Sequence, residues 1–195
     1  MLDVGCGHGD LALALAATGY DVTGIDPMAP DGPIFRRIKL EDLGDGELFD
    51  AVVASFSFHH MANLDQNVGR VAELLAGGGP FILDEFAWER LDEPTADWYE
   101  AQRRVLDAAL DHPRRPSADE WLDHHADLHR SEAMRAALVA HFDELGFERV
   151  PYLWRYLGGP VTADLEESLI ASGAIQALGL RFIGIPAPAP ALKKP

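Results

Sequence analysis

The sequence LDVGCGHGD at residues 2–10 decides the fold, because it joins an apolar run to a glycine-rich turn and the start of a helix. Glycine has no Cβ, so such a turn adopts left-handed dihedral angles and lets a ligand lie against the backbone. Residues 10–17 then predict a helix whose N-terminus points at that ligand. Residues 20–26 predict a second strand ending at Asp26, whose carboxylate is placed to accept from ribose hydroxyls. The opening therefore predicts a site for an adenosine-type cofactor.

The spacing of the glycines narrows the choice of cofactor. Gly5, Gly7 and Gly9 are followed by Asp10, which takes the position where the dinucleotide fingerprint requires its last glycine. Asp3 adds a second carboxylate beside the turn, and two carboxylates would repel a pyrophosphate but attract an ammonium and a sulfonium. A Walker-type phosphate loop is excluded because no Gly-Lys-Ser/Thr follows the glycines. The pattern disfavours NAD, FAD and nucleoside triphosphates.

These residues resemble a known family. Residues 3–9 are similar to the first motif of class I S-adenosylmethionine-dependent methyltransferases, and Asp26 is similar to their ribose-binding acid. Residues 49–55 resemble the fourth strand of that family, and residues 71–83 resemble its next helix, glycine turn and fifth strand. The resemblance covers about the first 90 residues, and its ordered spacing is more specific than a lone glycine triplet.

The resemblance and the order of the predicted strands and helices imply an α/β fold with a doubly wound, Rossmann-like, mostly parallel sheet, a C-terminal antiparallel strand and a helical lid insertion. We expect the cofactor-binding half over residues 1–87, the lid over 88–130, a C-terminal helix and strands over 131–185, and a disordered tail over 186–195. The family usually carries helices before its first strand. Either the sequence is truncated there or the lid covers the cofactor.

The pattern of individual elements follows from periodicity and from helix start and stop signals. Strands are predicted over 1–6, 20–26, 34–40, 50–56, 80–86, 147–157 and 180–185, and helices over 10–17, 63–75, 131–145 and 162–171. The third strand is expected to be stunted because the connection before it is short and rich in proline. Asp10 is predicted to cap the first helix and Gly19 to end it, while a break at 112–117 separates two lid helices. Ser117 and Glu120 predict a capping box there.

The resemblance implies a set of cofactor-binding residues at the ends of the first four strands. The set is Asp3, Gly5, Cys6, Gly7, Gly9, Asp26, Pro27, Met28, Glu41, Asp42 and Ser55. The three glycines would approach the methionine part, Asp3 would orient the turn or the ammonium group, and Asp26 would bind the ribose diol. Pro27 or Met28 would lie beside the adenine, and either Glu41 or Asp42 would take its amine unless the pair is a solvated loop. Ser55 either lies beside the methionine part or simply ends a buried strand.

Two histidines just after the fourth strand are candidates for catalysis. An imidazole titrates near neutrality, so His59 or His60 could take a proton from a hydroxyl or amine nucleophile, with His60 preferred. Either could instead order a loop, since a sulfonium is already activated and in-line positioning can suffice. His125 and His129 have the spacing of one helical face, but the glutamate of the zinc-protease helix is missing. We expect no metal site, and these two histidines are predicted to line the substrate pocket in the lid.

Composition limits the class of partner. The chain has 195 residues, 48% of them hydrophobic, with a formal charge of −16, and its arginine pairs form no basic stripe, so nucleic acid is disfavoured as a substrate. No apolar run reaches the length of a membrane span and no signal peptide is recognised, so no membrane partner is expected. Cys6 is the single cysteine, which fits a reducing cytoplasm and the role of a small side chain in a tight turn.

The sequence therefore predicts an S-adenosylmethionine-dependent methyltransferase that acts on a small-molecule acceptor by direct in-line displacement. Two rivals stay open. One is a catalytically silent protein with the methyltransferase fold that works as a partner subunit. The other, disfavoured by Asp10, is a nicotinamide-dependent oxidoreductase. The identity of the acceptor, the methylated element and the oligomeric state are left open.

Overall fold

The computed structural model of the chain describes residues 1–109 and 116–188. The strands are β1 (Leu2–Val4), β2 (Thr23–Ile25), β3 (Phe35–Arg36), β4 (Val52–Ser55), β5 (Phe81–Phe86), β6 (Phe142–Val150) and β7 (Gly179–Pro186). The helices are α1 (Asp10–Ala17), α2 (Leu64–Leu74), α3 (Glu93–Ala109), α4 (Ala118–His125), α5 (Ser131–His141) and α6 (Ala163–Ala171). Short 3-10 turns include Leu40–Asp42, Phe58–His60 and Leu153–Arg155.

The strands form one sheet in the order β3-β2-β1-β4-β5-β7-β6. β1 pairs in parallel with both β2 and β4, β2 pairs in parallel with β3, and β4 with β5, whereas the last strands are antiparallel. The order of the strands therefore reverses beside β1. Open α/β sheets bind ligands in the crevice at such a switch point. The predicted α/β class and the mostly parallel sheet are confirmed.

The region around the glycine turn follows the sequence closely. Helix α1 has the predicted limits, and Gly19 follows it with a φ of +99° that a residue with a side chain rarely adopts. The N-cap of α1 is Gly9, not Asp10, which instead lies in the first turn, where its charge complements the helix dipole. The third strand is only two residues long, as the short connection predicted. The capping box between Ser117 and Glu120 is also confirmed.

The boundary between α5 and β6 differs from the prediction. The spacing of Met134, Leu138 and Phe142 continues as a helical pattern to Leu145, which predicted a helix over 131–145. The helix ends at His141 instead, and Phe142 begins a strand. The ring of Phe142 lies 5.4 Å from that of Phe81, while Leu145 is 63% exposed. Packing against the sheet therefore outweighs the local helical pattern at this point.

The following strand also ends earlier than predicted. β6 stops at Val150, before Pro151, and the chain turns into the 3-10 segment Leu153–Arg155. The carboxylate of Glu166 in α6 is fully buried and accepts hydrogen bonds from three successive backbone N–H groups, those of Tyr152 (2.8 Å), Leu153 (3.0 Å) and Trp154 (2.7 Å). Because these donors are bound by a side chain, they are not available to a neighbouring strand.

The chain divides into two compact units. The first contains Met1–Asp84, Glu132–Phe147 and the described residues from Phe182 onward, and the second contains Glu85–Ser131 and Glu148–Arg181. The predicted domain limits and the lid role of residues 88–130 stay predictions. Most of the predicted break at 112–117 lies outside the described residues, as does the tail from 189. At its start that tail is ordered, since β7 reaches Pro186 and the N–H of Ala187 donates to the His141 carbonyl oxygen at 2.9 Å.

Among the described residues, none of the helices has the length and apolar character needed to cross a bilayer.

Glu166→Ala is expected to lower the free energy of unfolding by about 3–5 kcal/mol, because two buried N–H groups and one partly buried N–H group lose their acceptor at once. Urea denaturation followed by circular dichroism measures the change. Glu167→Ala is the matched control, since Glu167 is exposed on the same helix, and it should cost less than about 0.5 kcal/mol. Equal effects of the two substitutions would refute the structural role of the Glu166 carboxylate.

Candidate functional site

A cavity of about 480 Å³ lies in the first unit, at the carboxyl ends of β1, β2 and β4. Its size falls within the range of small-molecule and cofactor sites. The residues that line it are Val4, Gly5, Gly7, Ile25, Asp26, Pro27, Ile38, Lys39, Leu40, Glu41, Phe56, Ser57, His60, Met61, Ala62 and Asn67. The lining is therefore drawn from the glycine turn, the end of β2, the segment after β3, the segment after β4 and the start of α2.

Asp26 is fixed at the end of β2 by two backbone donors. Its Oδ2 accepts from the N–H of Gly7 at 3.2 Å, and its Oδ1 accepts from the N–H of Met28 at 2.7 Å. The turn is tied to β2 a second time, because the N–H groups of Gly5 and Cys6 both donate to the Ile25 carbonyl oxygen. An ionised carboxylate has about four acceptor positions, so the two donors leave positions for the hydroxyl groups of a ligand.

The three glycines of the turn have different surroundings. A Cβ on Gly5 would lie 2.3 Å from Cβ of Ser57, and a Cβ on Gly9 would lie 2.4 Å from Cζ of Phe35. A Cβ on Gly7 would meet no described atom within 4 Å. Gly5 and Gly9 are thus required by packing within the protein, whereas the bare face of Gly7 is open. The sequence analysis expected all three glycines to approach a ligand, but in the structure only Gly7 has an open face.

Asp3 adds a buried negative charge next to this turn. Its side chain is 1% exposed, and its Oδ2 has no hydrogen-bond partner among the described residues. Burial raises the pKa of Asp3 from 3.8 to about 6; the backbone N–H of Ala12 opposes the rise and the nearby charge of Asp26 adds to it. Asp3 does not line the cavity itself. Its charge can therefore favour a cation in the cavity only through the electrostatic field and not by direct contact.

Cys6 carries no reactive thiol. Burial, with smaller contributions from the charges of Asp3 and Asp26, raises the pKa of the Cys6 thiol to about 12. Since the thiolate is the nucleophilic form, this cysteine is inert at neutral pH. The prediction of a small side chain in a tight turn is consistent with its surroundings.

Of the residues predicted after the second and third strands, only some reach the cavity. Pro27 lines it, whereas Met28 is 79% exposed and contributes its backbone N–H to Asp26. Glu41 lines the cavity and pairs with Lys39 at 3.5 Å, but Asp42 does not line it.

The segment after β4 brings His60 into the cavity lining and leaves Ser55 and His59 outside that lining. His59 is 6% exposed, and its ring lies 4.0 Å from that of His60. Ser57, which the sequence analysis passed over, donates from its Oγ to the Val4 carbonyl oxygen at 2.9 Å. Phe56 has a φ of +53°, an uncommon conformation for a bulky residue that concentrates at ligand sites.

The histidines of the second unit are not arranged as predicted. Helix α4 ends at His125, so His125 and His129 do not share a helical face. His125 is 7% exposed, its Nδ1 lies 2.5 Å from the Trp121 carbonyl oxygen, and its ring meets that of Phe86 edge-on at 5.2 Å. His125 is therefore a packed core residue. The described residues contain no group of three His, Cys, Asp or Glu side chains placed to hold a metal ion.

Comparisons with known proteins agree with this geometry. A family model described as "Methyltransferase domain" matches residues 1–150. The ubiquinone biosynthesis O-methyltransferase of Rattus norvegicus is 34% identical over 101 residues, which are 43% of this chain and 29% of that protein. The chain spans less than two thirds of the length of the curated relatives that it matches first.

Two solved structures share the fold. An S-adenosylmethionine-dependent methyltransferase from Mesorhizobium loti has a TM-score of 0.60 at 15% identity, and the match covers 94% of this chain and 89% of that one. The 1,6-didemethyltoxoflavin-N1-methyltransferase of Burkholderia thailandensis, solved with its acceptor and S-adenosylhomocysteine, has a TM-score of 0.58 at 17% identity, covering 96% and 70%.

Asp3→Asn is expected to change the pH dependence of stability. A carboxyl whose pKa rises from 3.8 to about 6 on folding contributes most to stability below pH 3.8, and the contribution is lost as the pH rises through about 6. The variant should therefore match the parent near pH 4 and exceed its free energy of unfolding by about 3 kcal/mol above pH 7. Urea titrations across this range, with Asp21→Asn as the exposed control, test it. A difference that does not vary with pH would contradict the buried charge.

Gly9→Ala and Gly7→Ala are expected to differ in stability. Both place a side chain at positive φ, which costs about 1–2 kcal/mol, and Gly9→Ala adds a clash with Phe35 that costs about 1–3 kcal/mol more. Thermal unfolding should show Gly9→Ala as the less stable protein, and adding Phe35→Leu should restore part of its loss. If the two single variants unfold alike, Phe35 does not occupy the bare face of Gly9.

Proposed function

The chain belongs to the methyltransferase domain family, and on that premise we propose that it binds S-adenosylmethionine and transfers its methyl group to a small-molecule acceptor. The observation that carries the proposal is the Asp26 carboxylate, which is held by backbone donors at the end of β2 and lines the same cavity as the open face of Gly7. The fold is that of S-adenosylmethionine-dependent methyltransferases, which supports the choice of cofactor.

The donor set suits this cofactor better than a phosphate-containing one. Asp26 would bind the ribose diol, and the turn backbone at Gly7 would lie against the amino-acid portion. The uncompensated oxygen of Asp3 favours a positive charge nearby, and a pyrophosphate would meet two carboxylates instead. When bound, S-adenosylmethionine supplies a sulfonium methyl group that a nucleophile displaces in line, leaving S-adenosylhomocysteine.

The protein side of the reaction is positioning and exclusion of water. His60 is exposed and lines the cavity, so we propose it as the group that accepts a proton from a hydroxyl or amine acceptor. His59 is buried beside it, and we assign it to holding the Phe58–His60 turn. A small-molecule acceptor is supported by relatives whose names assign them ubiquinone biosynthesis. Residues 88–130 are proposed to select the acceptor.

Isothermal titration with S-adenosylhomocysteine tests the cofactor assignment. The parent should release or absorb heat on binding, and Asp26→Ala should weaken the affinity about 100-fold, because two hydrogen bonds from the ribose to a charged acceptor are lost. Asp21→Ala is the matched control, since Asp21 is exposed just before the start of β2. The affinity of this variant should equal that of the parent.

Three results would overturn the assignment or redirect it. Absence of any binding by the folded parent removes the cofactor proposal. A change in NADH fluorescence without binding of S-adenosylhomocysteine would favour the oxidoreductase. Tight binding with no transfer of a labelled methyl group to any phenol, amine or thiol acceptor, together with a stoichiometric complex with another protein, would favour the silent partner subunit.

A further inference from the structure

We propose that Ser57 is a positioning residue, which ties a strained stretch of backbone to the end of β1 and so holds the His60 ring at the cavity. The stretch is residues 56–63, which we call the histidine segment. It connects β4 to α2 and contains the turn Phe58–His60. The inference rests on the proposed function, in which His60 accepts a proton, and it concerns how that histidine is placed.

The backbone of the histidine segment is strained. In the described part of the chain, Phe56 and Asn63 are the two non-glycine residues with a positive φ, and both have a φ of +53°. Asparagine adopts this conformation with little penalty, but for a bulky side chain it is an outlier. Such a conformation persists only where the surrounding structure enforces it. Contacts with neighbouring elements must therefore hold this segment in place.

The two ends of the histidine segment are bound to β5 and α2. The N–H of Phe56 donates to the Asp84 carbonyl oxygen at 2.9 Å. At the other end, Nδ2 of Asn67, which is 5% exposed, donates to the Ala62 carbonyl oxygen at 2.6 Å. These bonds fix where the segment leaves the sheet and where it enters the helix, but they lie on either side of the turn that carries His60.

Ser57 joins that turn to β1. Its Oγ donates to the Val4 carbonyl oxygen at 2.9 Å, and its Cβ lies 2.3 Å from the position that a Cβ on Gly5 would take. Its carbonyl oxygen accepts from the N–H of His60 at 3.3 Å. One residue therefore contacts the end of β1, the glycine turn and the backbone of the histidine at once.

The Ser57 hydroxyl acts on the segment and not on a ligand. A carbonyl oxygen can only accept, so the hydroxyl proton is used within the protein by the bond to Val4. A general base must come within about 3 Å of the group whose proton it takes, and a displacement of about 1 Å can cost about 100-fold in rate. Without the Ser57 bond, we expect the strain at Phe56 to relax and to move His60 away from its place at the cavity.

His59 provides a fixed reference for the position of the His60 ring. His59 is 6% exposed, whereas His60 is exposed, and the centroids of the two rings are 4.0 Å apart. The nuclear Overhauser effect between ring protons falls steeply with distance. It therefore reports whether His60 keeps its place, and it needs no ligand.

The first experiment measures this ring–ring effect in the parent, with His60→Gln to assign the signal. The parent should show the effect, and Ser57→Ala should reduce it to less than about half, because the strained turn relaxes. Ser172→Ala is the matched control. The Ser172 hydroxyl also donates to a carbonyl oxygen, that of Leu169 at 2.8 Å, but Ser172 does not line the cavity, so the parent effect should be kept. Thermal unfolding establishes that each variant is folded.

A double variant tests whether strain is the driving force. Glycine adopts a φ of +53° at little cost, so Phe56→Gly removes the strain that the Ser57 bond opposes. The variant Phe56→Gly/Ser57→Ala should therefore recover most of the ring–ring effect that Ser57→Ala loses.

The second experiment uses S-adenosylhomocysteine as the probe, at a concentration that saturates each protein. The ligand should shift the His60 ring signal of the parent, because His60 lines the cavity. The shift should be at least about two-fold smaller in Ser57→Ala, in which the ring has moved away. A purely structural role of Ser57 would lower the unfolding temperature and leave both signals of the folded protein unchanged.

The outcomes separate this inference from the proposed function. A parent without the ring–ring effect overturns the inference, and that measurement needs no substitution. Parent-like signals in Ser57→Ala, an equal loss in Ser172→Ala, or no recovery in the double variant also overturn it. A parent that shows the effect but does not bind S-adenosylhomocysteine overturns the proposed function alone. If Ser57→Ala does not fold, Ser57→Cys gives the same test, because a thiol is similar in size but a weak donor.

Discussion

The site depends on one carboxylate that joins two strand ends. Asp26 accepts from the N–H of Gly7 in the turn after β1 and from the N–H of Met28 after β2. These bonds hold the open face of Gly7 and the carboxylate on the same cavity before any ligand arrives. A preformed site loses less conformational freedom on binding, so more of the contact energy appears as affinity. The positions of Pro27 and of the turn backbone follow from the same two bonds.

The second constraint is electrostatic and opposes stability. Asp3 is buried next to Asp26, with one oxygen unpaired, and its pKa rises to about 6 as a result. A hydrophobic residue would pack at this place in β1 without that cost. Proteins keep a buried, incompletely paired charge of this kind chiefly where function requires it. A cation in the neighbouring turn offsets the charge, which is why these two acids suit a sulfonium and ammonium ligand and not a diphosphate.

The fold was predictable wherever local patterns and the sheet agree. The glycine turn, helix α1 and the short β3 follow from glycine, proline and apolar spacing alone. The C-terminal part was not predictable in the same way. Phe142 fits a helical spacing but is held in a strand beside Phe81, and Glu166 removes the donors that would have extended β6. Both effects come from residues distant in the sequence, which no local window contains.

The same reasoning explains which parts of the site the sequence reveals. Asp26, Gly7 and His60 could be found because a motif or a position after a strand marks them, and each lines the cavity. The separate roles of Gly5 and Gly9 depend on Ser57 and Phe35, which are 52 and 26 residues away, so spacing cannot distinguish them. Asn67 shows the limit most clearly. Its residue type is ordinary for a helix start, and only the folded chain shows that it is 5% exposed, lines the cavity and donates from Nδ2 to the Ala62 carbonyl oxygen. Recognition by this chain is therefore a property of contacts made after the chain has folded, while the motif determines only where those contacts form.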